Sequence, residues 1–280
     1  MIRKTVSILL MICMVFSLAS CKGGEKYTYG VFLGADPEDM DEFSPYETIV
    51  IDAQYFSKSE ISELKEEGHT IYSYIDLGSV EEFRDYFDEW ECLSLGVYEN
   101  WEDERWVDVS DPSWQTFILG IAEDLVDKGV DGLFVDNVDV YYNYPTDEIF
   151  DGVATILKSF KALDTYVSIN GGDCFMTEYA SRYGNMTDVA DAVNQETVFS
   201  SINWDDDTFG TNLTSEQRYF REYVELASSY GLDIYLLEYT TDEELIEQID
   251  IYCSRMQYVY YASDSLDLVT PGQEMGSQAV

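Results

Sequence analysis

The stretch GVDGLFVDNVDVYY, residues 129–142, is apolar at its centre and is interrupted by three aspartates. Its centre has the composition of a strand buried in a parallel sheet. Asp131 precedes this centre in the turn KGVDG, Asp136 follows it directly, and Asp139 lies three residues further on. In a barrel of parallel strands, the carboxyl ends converge on the face that carries active sites, whereas the opposite face mainly serves stability. The stretch therefore predicts Asp136 at the mouth of a barrel, Asp139 in the loop beside it and Asp131 at the opposite face.

Short β-rich runs recur along the chain, and amphipathic helical patterns separate most of them. The eight predicted strands are Tyr29–Leu33, Ile49–Gln54, Ile71–Leu77, Leu133–Asn137, Val167–Asn170, Ala192–Glu196, Ile234–Tyr239 and Tyr258–Ala262. The helical patterns include SKSEISELKEEG, PSWQTFILGIAEDLVDKG, TSEQRYFREYVELASSYG and TDEELIEQIDIYCSR. Strands that alternate with helices indicate a parallel sheet with helical crossovers. Eight such strands predict a single α/β domain, a closed (β/α)8 TIM barrel rather than an open doubly wound sheet.

An acidic and aromatic segment, DEWECLSLGVYENWEDERWVDVSDPSW, separates the third and fourth predicted strands and is longer than an ordinary connection. It contains Trp90, Trp101, Trp106 and Trp114. Sugar faces stack on such rings, so the segment predicts a carbohydrate platform over the barrel mouth, with Trp101 and Trp106 in contact with substrate. The alternative is a small satellite core, which we expect to bury about half of the tryptophans.

The first residues are typical of an exported protein. Arg3 and Lys4 precede an apolar run, Val6–Phe16, that is shorter than the about 20 apolar residues of a membrane span. The tetrapeptide LASC ends at Cys21 and resembles the lipobox of bacterial lipoproteins, in which the cysteine is acylated. An ordinary secretory signal with an incidental cysteine is the alternative.

This pattern predicts the organisation of the chain. We expect a lipoprotein signal peptide over residues 1–20, a short spacer over 21–26 that begins with the lipidated Cys21, and the barrel domain over 27–280. The mature domain is expected at the extracellular face of a bacterial membrane, held there through the lipid anchor only.

The charge balance restricts the classes of partner. Lys and Arg total 15 against 56 for Asp and Glu, a formal net charge of −41. Because phosphate chains are bound through basic residues, we expect no nucleic acid partner. Such a field favours cationic partners, and a solvated, soluble surface without a partner is the alternative. We expect the protein to be a monomer. No GxGxxG or Walker sequence follows a predicted strand, which further weakens the case for nucleotide binding. We expect no cofactor.

Cysteine and histidine usage excludes several kinds of site. After the signal region the chain holds Cys92, Cys174 and Cys253, whose spacing matches no zinc motif and leaves room for one disulfide. His69 is the only histidine and lies in a predicted helix-to-strand turn. Serine or cysteine chemistry assisted by a histidine is therefore weakly supported.

Polar residues occupy the exits of most predicted strands, which is unusual for an apolar scaffold. Besides Asp136 and Asp139, the set comprises Asp52, Asp76, Asn170, Glu196 and Glu238. Such an arrangement indicates a site that handles positive charge. Two chemistries fit: a glycosidase with an acid pair around an oxocarbenium-like transition state, or a calcium or magnesium site that uses the same acids. Because no histidine joins the set, a transition-metal site is disfavoured.

These residues lie in segments that resemble glycoside hydrolase family 114, the endo-α-1,4-polygalactosaminidases and related TIM-barrel proteins. The resemblance covers most of the mature chain and rests on YSYIDLGSVEEFRDYF, RWVDVSDPSWQTFIL, KGVDGLFVDNVDVY, SINGG and LLEYT. It implies a retaining glycosidase with Asp136 as nucleophile and Glu196 as acid/base, with Glu238 in reserve for the second role. Members often carry glycine-glutamate after the third strand, whereas Gly78 is followed here by Ser79.

Together these observations predict a lipid-anchored extracellular glycoside hydrolase that acts on an α-linked amino-sugar polysaccharide, with no metal. Its other predicted substrate contacts are Asp52, Asp76, Asp139, Asn170, Glu238, Trp101 and Trp106. The first alternative is a surface lipoprotein that binds a glycan without cleaving it, and the second is a purely structural or interaction domain.

Overall fold

The computed structural model describes residues 26–99 and 101–269. The predicted signal peptide, the lipidation site Cys21 and spacer residues 21–25 lie outside the described residues. Within the described ranges, none of the helices combines the length and the apolar character that crossing a bilayer requires.

Thirteen strands are present in the described residues. They are β1 (Tyr27–Phe32), β2 (Tyr46–Ile51), β3 (Thr70–Asp76), β4 (Ser79–Glu81), β5 (Ser94–Val97), β6 (Glu104–Val107), β7 (Gly132–Asp136), β8 (Tyr166–Asn170), β9 (Ala192–Glu196), β10 (Ser200–Asn203), β11 (Thr208–Thr211), β12 (Asp233–Tyr239) and β13 (Val259–Ser263).

Eight α-helices accompany them in the same part of the chain. They are α1 (Lys58–Glu67), α2 (Phe87–Trp90), α3 (Pro112–Lys128), α4 (Val140–Asn143), α5 (Asp147–Lys161), α6 (Asp173–Tyr183), α7 (Thr214–Ser229) and α8 (Glu243–Met256). Short 3-10 helices cover Pro37–Phe43 and Glu91–Leu93.

Eight of the strands form one parallel sheet in the order β1, β2, β3, β7, β8, β9, β12, β13. The order follows the chain, and β1 and β13 are in contact, so the sheet bends into a nearly closed barrel. Each of these strands overlaps one of the eight predicted runs. The (β/α)8 prediction is therefore confirmed, with boundaries that differ by a few residues.

The sequence determines where individual helices begin. At the start of α1, the side chain of Ser57 accepts a hydrogen bond from the backbone of Glu60, whose carboxylate in turn accepts from the backbone of Ser57 at 2.6 Å. This reciprocal cap satisfies two backbone donors that the first turn would otherwise leave unpaired. Residues Gly132–Val135 of β7 are fully covered because helices lie over one face of the strand and the barrel interior over the other.

Two small sheets stand over the carboxyl ends of the barrel strands. One is antiparallel, with the order β4, β6, β5, and is built from the aromatic insertion between the third and fourth barrel strands. The other is the β10–β11 hairpin, which follows the sixth barrel strand, β9. Both project toward the mouth of the barrel and contribute to its walls.

Candidate functional site

A cavity of about 770 Å³ opens at the carboxyl ends of the barrel strands. Six of the predicted site residues line it: Asp52, Trp101, Asp136, Asp139, Asn170 and Glu196. The remaining three, Asp76, Trp106 and Glu238, lie behind its walls. Asp131 lies at the other end of β7, where it pairs with Lys65 at 2.5 Å and accepts a backbone hydrogen bond from Ile71.

Asn170, the last residue of β8, joins the two acids at the ends of the flanking strands. Its Nδ2 atom donates to Oδ1 of Asp136 at 2.9 Å and to Oε1 of Glu196 at 2.7 Å. Because one nitrogen reaches both oxygens, these oxygens are separated by no more than the sum of the two distances, about 5.6 Å. The fourth, fifth and sixth barrel strands thus bring two carboxyl groups and one amide together.

The orientation of this amide follows from the hydrogen bonds behind it. The hydroxyl group of Tyr29 donates to Oδ1 of Asn194 at 3.1 Å, and Nδ2 of Asn194 donates to Oδ1 of Asn170 at 2.7 Å. The carboxyl oxygens of Asp136 and Glu196 accept from Nδ2 of Asn170, so Oδ1 of Asn170 is the end left to accept from Asn194, and Oδ1 of Asn194 then accepts from Tyr29. The chain places the Nδ2 end of Asn170 toward the acids.

Asp136 is surrounded by donors that stabilise its ionised form. Besides Asn170, the backbone N–H of Asn137 donates to Oδ1 at 2.9 Å, and the hydroxyl group of Tyr74 also reaches the carboxyl group. Burial raises the pKa of Asp136, and these hydrogen bonds act against the rise. Asn137 has a φ of 58°, a left-handed conformation that asparagine adopts more readily than most residues.

Glu196 has the environment of an acid that keeps its proton near neutral pH. Burial, followed by the nearby charge of Asp136, raises the pKa of Glu196 to about 7. Hydrogen bonds from Asn170 and from the hydroxyl group of Tyr239, which lies 3.0 Å from Oε2, limit that rise. The two acids are therefore inequivalent, because Asp136 accepts from a backbone N–H group and Glu196 feels the charge of its neighbour.

A second pair of acids, Asp76 and Glu104, is buried beside the first. Ser79 Oγ contacts both carboxyl groups, and Nδ2 of Asn137 donates to Asp76 at 3.1 Å and to Glu104 at 2.7 Å. The single Ser79 hydroxyl proton cannot serve both carboxylates, so this group accommodates one further proton. Accordingly, burial raises the pKa of Glu104 to about 7 and that of Asp76 well above its usual range.

Sequence reasoning missed Glu104, Ser79 and the cation Arg84. Arg84 Nη1 lies 2.7 Å from Asp52, and Nε lies 2.6 Å from Glu81, with all three side chains buried. Asp52 therefore neutralises Arg84 within the cavity wall. These residues lie in the segments GSVEEFR and EDER, which the pairing of β4 with β6 brings to the strand exits.

Asp139 lies at the cavity wall next to the start of α6. Its Oδ2 atom accepts a 3.4 Å hydrogen bond from the backbone of Gly172 and lies close to Gly171. Burial, followed by the charge of Asp173, raises the pKa of Asp139 to about 7. It is the third cavity carboxyl group near the exits of β7, β8 and β9.

Glu238 does not face the cavity, although it was predicted to contact substrate and was in reserve as the acid. It is fully buried and accepts hydrogen bonds from the backbone of Phe199 at 3.1 Å and Ser200 at 2.8 Å, and from the Ser200 hydroxyl at 2.6 Å. Side chains alternate along a strand, so its neighbour Tyr239 points into the cavity instead. Glu238 holds the base of the β10–β11 hairpin.

The tryptophans of the insertion divide between buried positions and the cavity. Trp90 and Trp114 pack with Phe117 as part of the main hydrophobic core, and Trp106 is buried against Tyr98, with ring centroids 4.4 Å apart. Trp106 was predicted to contact substrate, but its side chain is buried and does not line the cavity. Trp101 is 43% exposed at the cavity and meets an unpredicted partner, Trp204 of the β10–β11 turn, edge to face at 5.9 Å.

Metal, cysteine and histidine chemistry have little support in the described residues. Across residues 26–99 and 101–269, no group of three or more histidine, cysteine, aspartate or glutamate side chains has the arrangement of a metal site. Cys92, Cys174 and Cys253 carry free thiols. His69 Nδ1 lies 2.8 Å from the backbone oxygen of Tyr46, at the barrel end opposite the cavity.

A (β/α)8 barrel with a carboxyl pair at its strand exits is an architecture of glycoside hydrolases. The chain belongs to glycoside hydrolase family GH114, whose sequence model matches residues 19–267, and it is a glycoside hydrolase. No curated protein sequence matches it significantly.

Solved structures share the fold at low sequence identity. The glycoside hydrolase domain of PelA from Pseudomonas aeruginosa has a TM-score of 0.71 at 18% identity, over 88% of this chain and 99% of that one. Aspergillus fumigatus Ega3 in complex with galactosamine has a TM-score of 0.69 at 14% identity, over 95% and 100% of the two chains. The α-galactosidase TtGalA from Thermus thermophilus reaches 0.56 at 10% identity, over 89% and 60%.

Proposed function

We propose that this glycoside hydrolase is a retaining enzyme in which Asp136 is the nucleophile and Glu196 the general acid/base. The observation that carries the proposal is the single Asn170 nitrogen that bonds both acids and limits the separation of their oxygens to about 5.6 Å. Retaining glycosidases hold their carboxyl groups about 5 to 5.5 Å apart, whereas inverting enzymes leave roughly 6.5 to 9.5 Å for a water molecule. The spacing supports the retaining assignment.

The environments of the two acids fit the two roles. In the first step, Glu196 donates its proton to the glycosidic oxygen while ionised Asp136 attacks the anomeric carbon, and the leaving sugar departs as an alcohol. In the second step, Glu196 accepts a proton from water, whose oxygen displaces Asp136 from that carbon. The raised pKa of Glu196 and the donors around Asp136 favour these starting protonation states.

The substrate we propose is an α-linked polysaccharide that contains amino sugars, similar to polygalactosamine. Nine acidic side chains line the cavity against one arginine, and that arginine is paired with Asp52 and Glu81. The remaining negative charge would attract the ammonium groups of a deacetylated amino sugar. The galactosamine held by Ega3, a protein of the same fold, supports this class of ligand.

We further propose that the enzyme acts at the extracellular face of a bacterial membrane, where it is attached through a lipid on Cys21. The support is the basic start, the apolar run and the sequence LASC. The test is to compare wild type with Cys21→Ala in membrane and soluble fractions. Retention of both proteins in the membrane fraction would contradict a lipid anchor at this cysteine.

The decisive experiment is product analysis with a signal-free protein. Galactosamine, glucosamine and neutral α-linked polymers would be incubated with wild type, Asp136→Asn and Glu196→Gln, and the released sugars identified by mass spectrometry and their anomeric form by NMR. Asp131→Asn is the matched control for the first substitution because Asp131 lies at the opposite end of β7. Glu238→Gln is the control for the second and tests the alternative acid.

We expect oligosaccharides of retained configuration from wild type and Asp131→Asn, and none or very little from Asp136→Asn and Glu196→Gln. Glu238→Gln should lower stability while the folded fraction keeps activity. Inverted products would contradict the retaining assignment. Saturable binding of a polymer without product release would favour the non-catalytic glycan-binding alternative.

A further inference from the structure

Two exposed aromatic side chains, Tyr55 and Phe83, line the same cavity as the acid pair but belong to another part of its wall. Tyr55 is 54% exposed and Phe83 is 58% exposed. Tyr55 follows β2, the second barrel strand, whereas Glu196 ends the sixth. In a ring of eight strands, the second and sixth lie opposite each other. The two rings therefore stand across the mouth from Glu196.

Arg84 fixes both rings from behind. Its guanidinium carbon lies 4.9 Å from the centroid of the Phe83 ring and 5.6 Å from that of Tyr55. The guanidinium group is itself immobilised, with Nη1 2.7 Å from Asp52 and Nε 2.6 Å from Glu81, and its side chain is only 4% exposed. A cation held over aromatic faces stabilises their positions, so the rings are arranged before any ligand arrives.

This wall presents apolar faces rather than charge. Both acidic partners of Arg84 already neutralise it, so the ion pair is not free to bind a ligand ion. What remains accessible is a large aromatic surface on each ring, which is costly to expose to water and gains free energy when covered. The apolar face of a pyranose ring matches such a surface.

The opposite side of the cavity has its own aromatic pair. Trp101 of the insertion and Trp204 of the β10–β11 turn, 43% and 44% exposed, meet edge to face there. The lining is continuous between this pair and Tyr55 and Phe83, and it includes Asp136 and Glu196. A sugar chain longer than one unit can therefore extend from one aromatic pair to the other across the acids.

We propose that Tyr55 and Phe83 form a binding subsite for a pyranose unit of the same polysaccharide, remote from the bond that is cleaved. The proposal rests on the proposed function, since the ligand is another unit of its substrate. Contacts with a remote unit contribute binding energy that a short substrate cannot supply. The subsite selects long chains over short ones.

The test measures affinity as a function of chain length in a protein that does not turn over. A Glu196→Gln background would be titrated with two series of α-1,4-linked oligosaccharides, one of galactosamine and one of galactose, from the disaccharide upward. The variant is Tyr55→Ala with Phe83→Ala, and a second version carries leucine at both positions to keep the packing on Arg84. Tyr142→Ala is the control, because Tyr142 is 65% exposed and lies outside the cavity lining.

We expect unchanged dissociation constants for the shortest sugars and an increase of about tenfold for long ones in both double variants. Thermal unfolding of each variant shows that the compared proteins are folded. Full retention of the length dependence, or an equal loss at all lengths, would overturn the subsite and leave the rings as a cover for Arg84. Binding of the neutral series alone would refute the amino-sugar substrate, and the length dependence within that series would still test the subsite. Binding of neither series would refute both the proposed substrate and the subsite.

Discussion

Asn194 donates a 2.7 Å hydrogen bond from its side-chain amide to Oδ1 of Asn170, and this bond holds the Nδ2 end of the Asn170 amide toward the cavity. Asn194 is in turn held by the hydroxyl group of Tyr29. Tyr29, Asn194 and Asn170 thus form a polar column within the barrel, and it ends at the side-chain N–H pair shared by Asp136 and Glu196. The alignment of the acids depends on residues that do not touch substrate.

The substitution Asn194→Asp tests this column because it changes one N–H donor into an acceptor at almost constant shape. Asn170 would then have to rotate to donate backward, which turns its oxygen toward both acids. We expect kcat to fall by about a hundredfold with a much smaller change in KM, as for other small displacements of catalytic groups. Asn185→Asp is the control, since the Asn185 Oδ1 accepts from Thr187 and a carboxylate can do the same. An unchanged kcat for Asn194→Asp would contradict the orienting role.

Tyr239→Phe should move the alkaline limb of the pH profile. The Tyr239 hydroxyl stabilises ionised Glu196 and so lowers its pKa, against the rise caused by burial and Asp136. Removing the hydroxyl raises the pKa of Glu196 further, and the acid then keeps its proton to a higher pH. We expect the alkaline limb of kcat/KM to shift upward by at most about one pH unit. The control is Tyr235→Phe, on the same strand nearer the opposite end of the barrel, which should leave the alkaline limb in place. A downward shift for Tyr239→Phe would refute the assignment of Glu196 as the acid that sets this limb.

The barrel strands could be predicted from the sequence because each is a local run of apolar residues between recognisable helices. Asp136, Asn170 and Glu196 could be placed because each is the last residue of its strand. The same reasoning failed by one residue at β12, where Tyr239 is last and Glu238 faces the other side. A strand pattern indicates which end of a barrel a residue occupies more reliably than which face it points to.

The rest of the site depends on contacts that no local pattern contains. Glu104 meets Asn137 across 33 positions, and Arg84 meets Asp52 from a different loop. Trp101 and Trp204 come from separate hairpins. The contact between these two tryptophans depends on how the insertion folds over the barrel mouth, and hydrophobic periodicity does not predict that fold.

Gly171→Ala should impair the site, whereas Gly184→Ala should only lower stability. The two glycines have nearly the same left-handed φ, 66° and 68°, so alanine is strained equally at both, by roughly 1 kcal/mol. A Cβ atom at Gly171 would lie 2.7 Å from Oδ2 of Asp139, whereas at Gly184 nothing lies within 4 Å. We expect a loss in unfolding free energy in both variants, larger for Gly171→Ala because Asp139 must shift, and a fall in kcat/KM for Gly171→Ala alone. Equal activity in the two variants would show that the position of Asp139 is unimportant for turnover.

Glu104→Gln should change how stability depends on pH. Folding raises the pKa of Glu104 from 4.5 to about 7, chiefly through burial, so the folded state binds this proton more tightly than the unfolded chain. That contribution to stability is complete below pH 4.5 and is lost as the pH rises to about 7. Glutamine stays neutral and can still contact Ser79, so the variant should gain stability relative to wild type over this interval and keep a constant difference above it. Denaturant unfolding at a series of pH values measures the difference, with the exposed neighbour Glu102→Gln as control. Parallel pH curves for wild type and Glu104→Gln would show that the buried pair does not hold the extra proton on Glu104.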